Sequence, residues 1–150
     1  MIQRLYRQQI VPASLDDVWA YFATPQNLND MTPDDMQFEI IHGGEGKMLQ
    51  GQLIEYRVQF MPLVKSRWLT EIAHVEDHAY FVDEQRIGPY RFWYHEHRFD
   101  AVEGGTQITD QVTYMIPFGF LGDIVHALWV GGRLKGIFDF RMLKINELFG

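Results

Sequence analysis

Hydrophobic periodicity changes once along this chain, and the change limits the possible folds more than any other feature. From Met36 to Ile116 apolar side chains recur at every second position; after Pro117 they recur at helical spacing. The first regime reads as strands at 37–42, 48–60, 66–75, 79–86, 91–99 and 106–116. Gly43-Gly44-Glu45-Gly46, Met61-Pro62-Leu63, Glu76-Asp77-His78, Gly88-Pro89 and Gly104-Gly105 turn the chain between them. The second regime reads as one long C-terminal helix, striped by Leu121, Ile124, Val125, Leu128, Leu134, Ile137, Phe138, Leu143, Ile145 and Leu148. Gly131-Gly132 in its middle admits two readings, close packing of helix on sheet or a flexible point near a ligand entrance.

The first residues add a strand from Gln3 to Val11, ended by Pro12, which supplies no backbone donor. Ser14 can then cap a short helix with Asp17 at its third position and Leu15, Val18, Trp19 and Phe22 at helical spacing, before Pro25 interrupts it. A second short helical piece, Asn27 to Asp30, precedes Thr32-Pro33. The sum is a single α+β domain over residues 1–150: about seven antiparallel strands, two short helices after the first, and a long terminal helix.

The stretch Arg91-Phe-Trp-Tyr-His-Glu-His-Arg-Phe99 sets the functional question. Trp93, His95, His97 and Phe99 share one face of this strand, while Phe92, Tyr94, Glu96 and Arg98 share the other. In the next strand Ile108, Asp110, Val112 and Tyr114 alternate with the polar Gln107, Thr109, Gln111 and Thr113. A hairpin with two or four loop residues around Gly104-Gly105 opposes odd to even numbers, so the two histidines and Asp110 turn inward together. A buried carboxylate needs partners, and His95 or His97 on the neighbouring strand is in position. Asp83 joins them if the Gly88-Pro89-Tyr90 connection has three residues, and faces outward if it has two. Either a packed polar network or a polar spot in a ligand cavity fits this pattern.

Composition removes several function classes. Thirteen Lys and Arg against twenty Asp and Glu give a formal charge of −7, which opposes binding to a phosphate backbone, so no nucleic acid is expected. No Cys is present, which excludes disulfides and thiolate chemistry and fits a reducing cytoplasm. The N-terminus carries no apolar signal region and no uncharged run reaches spanning length; a cytoplasmic protein without stable membrane insertion is expected, as monomer or homodimer. The Gly43–Met48 stretch lacks the spacing and hydroxyl of a phosphate loop, and no dinucleotide fingerprint occurs, so no cofactor is expected.

Nearly the whole chain resembles the START/SRPBCC superfamily. The resemblance rests on Val11-Pro12-Ala13-Ser14, Val18-Trp19-Ala20-Tyr21-Phe22, Pro25-Gln26-Asn27-Leu28, Phe81-Val82-Asp83-Glu84-Gln85, Gly88-Pro89-Tyr90, the Trp93–Phe99 strand, and Gly104-Gly105-Thr106 with Asp110. It is most similar to the bacterial ligand-binding branch related to polyketide cyclases and dehydrases. The resemblance implies a helix-grip fold, in which a curved antiparallel sheet wraps the C-terminal helix around a cavity for apolar ligands. Trp68, Trp93, His95, His97 and Asp110 fall on its motif positions, and it implies no universal catalytic set.

The leading reading is therefore a binding module for a small hydrophobic molecule, lipid, sterol-like or aromatic polyketide-like. Tyr56, Val58, Phe60, Trp68, Trp93, Tyr114, Ile124 and Leu128 would line the site, and His95, His97 and Asp110 would orient one polar group. The alternative is a cyclase- or dehydratase-type enzyme, with His95 or His97 as general base, Asp110 fixing its tautomer and Tyr114 polarising a carbonyl. A metal held by His95-x-His97 with Asp110 or Asp83 is geometrically possible, but the pair lacks the flanking spacing of metal motifs and no metal is expected.

Overall fold

Among the described residues, seven antiparallel strands lie in the order β1-β7-β6-β5-β4-β3-β2. They are β1 (Gln3–Val11), β2 (Glu39–His42), β3 (Leu53–Met61), β4 (Val64–Glu76), β5 (Tyr80–Ile87), β6 (Phe92–Val102) and β7 (Gly105–Met115). This computed structural model describes residues 1–61 and 63–150, and the side chains of all of these except Phe60 and Met61. Six strands form a meander in sequence order, and β1 closes it by pairing with β7. The long helix and the insert between β1 and β2 cover its inner face.

The insert is built as its residues require. Ser14 Oγ accepts from the Asp17 amide at 3.2 Å and so starts α1 (Leu15–Phe22), whose Val18, Trp19 and Phe22 are buried. Two 3₁₀ segments follow, Pro25–Met31 and Asp34–Met36. The extended reading of 48–60 begins five residues late, at Leu53, because Gly51 takes a left-handed φ of 84° and turns the chain there.

The β6–β7 hairpin is the firmest part of the register. Val102 opposes Gly105, leaving the two-residue loop Glu103-Gly104, and Phe99, His97, His95 and Trp93 oppose Ile108, Asp110, Val112 and Tyr114. All eight are buried. Gly105 is fixed by a neighbour: a Cβ there would lie 1.9 Å from the Val11 carbonyl oxygen, where β1 ends against the hairpin.

The C-terminal helix runs for 31 residues as α2 (Gly119–Val125), a π-helical turn at His126–Val130 and α3 (Gly131–Phe149). Its buried stripe is narrower than the apolar pattern suggests. Val130, Leu134, Phe138, Arg141 and Ile145 face the sheet, whereas Leu121, Ile124, Val125, Leu128, Leu143 and Leu148 are exposed. Spacings of four, four, three and four account for the buried set. Carried back from Val130 at the same spacing, the stripe reaches Ala127 and Asp123, so Leu128 and Ile124 fall outside it. Neither glycine packs this helix on the sheet: Gly131 faces the His126 imidazole, and Gly132 faces open space.

Candidate functional site

The sheet register assembles a charged cluster on the inner face of β5, β6 and β7. Asp83 opposes His95 and Phe81 opposes His97, so Asp83 points inward as the longer β5–β6 connection requires. His97 Nε2 lies 2.6 Å from Asp83 Oδ2, and Trp93 Nε1 donates to Asp83 Oδ1 at 3.1 Å. His95 Nε2 lies 2.8 Å from Asp110 Oδ1. The two imidazoles stack with centroids 3.6 Å apart, and Phe81 stacks on His97 at 4.0 Å.

Arg141 of α3 completes the cluster. Its Nη2 stands 3.2 Å from His97 Nδ1 and 3.5 Å from Asp110 Oδ1, while Phe22 and Phe138 lie within cation–π range of its guanidinium. Hydrophobic periodicity misses this residue because an arginine scores as polar in any helical pattern. The available signal was its phase: Arg141 stands three residues after Phe138 and four before Ile145, on the buried stripe.

These contacts dictate the electrostatics. Burial alone would raise the Asp110 carboxyl, but Arg141 and then His95 and His97 outweigh it and hold the group well below the usual carboxylate range. Asp83 is likewise pushed up by burial and brought below its ordinary value by His95, His97 and Trp93. His97 is lowered to about 4, chiefly by burial, then by the neighbouring His95, with Arg141 adding to the effect against the pull of Asp83.

Arg141 also fixes which His97 nitrogen carries the proton. A guanidinium only donates, so Nδ1 accepts from Arg141 and Nε2–H donates to Asp83. Asp83, His95 and His97 bring three ligand atoms within 4.8 Å of one another, which is the spacing of a metal triad. A metal would need the Nε2 lone pair of His97, and the Arg141 contact commits that nitrogen to its proton. The donor set therefore fits a hydrogen-bonded cluster better than a cation site.

Beside the cluster lies a cavity of about 160 Å³. Phe22, Phe38, Tyr56, Trp68, Phe81, Tyr90, Trp93 and Phe138 supply aromatic wall, with Val58, Ile72, Leu134 and Ile137 between them. Asp83, His95, His97 and Arg141 form its polar side. Arg141 Nε is buried with no acceptor among the described residues.

Of the residues singled out in the sequence, Tyr56, Val58, Trp68, Trp93, His95 and His97 line this cavity. Phe60 lies outside the described side chains. Asp110 does not line it but stands behind His95, held by Arg141. Tyr114 is buried and also off the wall, its hydroxyl 2.7 Å from His126 Nε2. Ile124 and Leu128 are 50% and 81% exposed, and Leu134, Ile137 and Phe138, beyond the π turn, take the place expected of them.

No family model matches the chain, and no curated protein matches it. Solved structures match over nearly its whole length. TTHA0849 from Thermus thermophilus superimposes with a TM-score of 0.71 at 14% identity, covering 97% of this chain and 95% of its own. Major latex-like protein 151 from Panax ginseng gives 0.73 at 13% identity, covering 100% and 99%. Ara h 8.0201 gives 0.62 at 18% identity, covering 97% and 99%. At these identities the likeness establishes the fold alone, a helix-grip fold.

Proposed function

We propose that this protein binds a compact, uncharged aromatic molecule in the cavity between sheet and terminal helix, and that Arg141 receives a hydrogen-bond acceptor on that molecule. The carrying observation is the Arg141 Nε–H, buried without an acceptor among the described residues on a side chain that lines the cavity. An unpaired buried donor costs roughly 1–3 kcal/mol, a cost that a bound carbonyl or phenol oxygen removes. Size narrows the class. A void of ~150 Å³ with apolar walls takes a benzene-sized guest, so 160 Å³ suits one ring better than a sterol. Charge narrows it further: Asp83 and Asp110 already outnumber the single guanidinium, which leaves no positive surplus for an anionic ligand.

Within this reading His95, His97 and Asp83 form the polar wall and Asp110 acts through Arg141. The bacterial cyclase-like branch is the natural setting for such a ligand. A cyclase or dehydratase reaction gains less support at His97, whose Nδ1 is engaged by Arg141 and whose Nε2 by Asp83, and at Tyr114, whose hydroxyl meets His126; His95, with Asp110 at its Nε2, keeps the arrangement of a general base.

Tryptophan emission tests the reading, since Trp68 and Trp93 both stand on the wall. Acetophenone should shift it with an affinity about tenfold better than ethylbenzene, the margin of one charge-assisted hydrogen bond, and benzoate should bind more weakly than acetophenone. Silence from all three, or a ranking led by benzoate, would end the proposal.

A further inference from the structure

Large apolar side chains stand exposed together at one end of the sheet. Phe118 and Phe120, where β7 gives way to α2, are 80% and 73% exposed, and Leu128 on the π turn is equally bare. The register brings three more to the same end. Met115 opposes Phe92 at the start of β6, β5 finishes there at Ile87, and Leu63 caps the β3–β4 hairpin with 97% exposure. Leu63 and Phe118 also hold left-handed backbone, with φ of 65° and 75°, which costs a bulky L-residue roughly 1–2 kcal/mol. Neither recovers that cost by burial.

Charge divides along the same axis. Residues 1–4, 63–67 and 86–92, at the apolar end, contain Arg4, Lys65, Arg67, Arg86 and Arg91 and no acid. Residues 12–17, 76–79 and 100–105, at the opposite end, contain Asp16, Asp17, Glu76, Asp77, Asp100 and Glu103 and no Lys or Arg. Glu55 and Glu71 offset Arg67 and Arg86, Asp123 offsets the terminal amine, and Asp35 offsets Arg133; Arg4, Lys65 and Arg91 then outnumber the nearby Asp34, so the apolar end keeps a cationic surplus on a chain of net charge −7. A second copy docked there through a two-fold would set that surplus against itself.

We infer that this end is a docking surface for an anionic lipid bilayer, to which the protein attaches reversibly at headgroup depth. The opposed charges orient the molecule, the cations meet lipid phosphates, and Phe118, Phe120, Leu63 and Leu128 enter the interface. This goes beyond ligand binding and does not depend on the cavity. Its occupant is a surface, and it needs no spanning segment; no described helix is long and apolar enough to cross a membrane.

Flotation of the whole protein with vesicles tests it. Binding to phosphatidylcholine vesicles containing phosphatidylglycerol should exceed binding to phosphatidylcholine alone by about tenfold and fall with added salt. The double variant Leu63→Gly, Phe118→Gly should lose most of that binding while its unfolding midpoint holds or rises, because glycine accepts the left-handed backbone without strain. Equal binding to both vesicle types, retention by the double variant, or a dimer that this variant dissociates would overturn the inference.

Discussion

Phe99 faces Ile108 across the β6–β7 hairpin, and two residues along the same strands His97 faces Asp110. Around the first pair Trp19, Phe22, Phe81 and Ile145 close the interior with apolar contacts. Around the second lie two carboxylates, two imidazoles, a guanidinium and a void. One hairpin thus joins a packed apolar end to a charged end beside a void. Burying paired charges rarely gains stability over apolar packing of the same volume. The proposed ligand role therefore accounts for the charged end better than folding stability does.

The largest expected effect lies in the charged end. Arg141→Met leaves Asp110 buried without its cation and should cost about 3–5 kcal/mol in urea unfolding. Adding Asp110→Leu should recover part of that loss; a double variant less stable than both singles would make the cluster a net source of stability and break the contrast.

A matched pair sharpens it. Ile108, in the packed end, and Ile72, on the cavity wall, are both fully buried. Ile108→Ala should cost about 4 kcal/mol and Ile72→Ala about 2, because the gap left by Ile72 merges with space that already lacks partner atoms. Equal losses would mean that the void is packed as tightly as the core.

Acid should act on the charged end and spare the packed one. The His97 imidazole takes a proton near 6.5 in the unfolded chain and only at about 4 in the folded one. As pH falls through that window the unfolded state gains the proton first, so stability drops, by up to about 3 kcal/mol. His126, also lowered by its burial, works in the same direction. Asp83 and Asp110, held below their ordinary values, prolong the loss once pH falls below the unfolded carboxylate range. His97→Gln should flatten the decline between pH 6.5 and 4, and Ile108→Ala should leave its slope unchanged. The smallest effect belongs to the cap of α1: Ser14→Ala should cost about 1 kcal/mol, with no change in the acid response.

What could be read in advance follows the same division. A strand has a period of two, and a short hairpin fixes the parity of opposed residues, so the inward turn of Trp93, His95, His97 and Asp110 followed from the residues alone. The helix offered no such rule. Its pattern included Ile124 and Leu128, which lie off the phase of the buried stripe and are exposed, and omitted Arg141, whose charge hid a core position. Nothing local to Tyr114 announces that its hydroxyl meets His126. That contact depends on how the helix lies across the sheet.

The proposed ligand recognition turns on one donor, the buried Nε–H of Arg141. Nuclear magnetic resonance of that proton, with acetophenone and ethylbenzene added in turn, reads it directly. The resonance should move downfield with the ketone and stay in place with the hydrocarbon. A proton that ignores both guests, or answers them alike, would contradict the role given to Arg141.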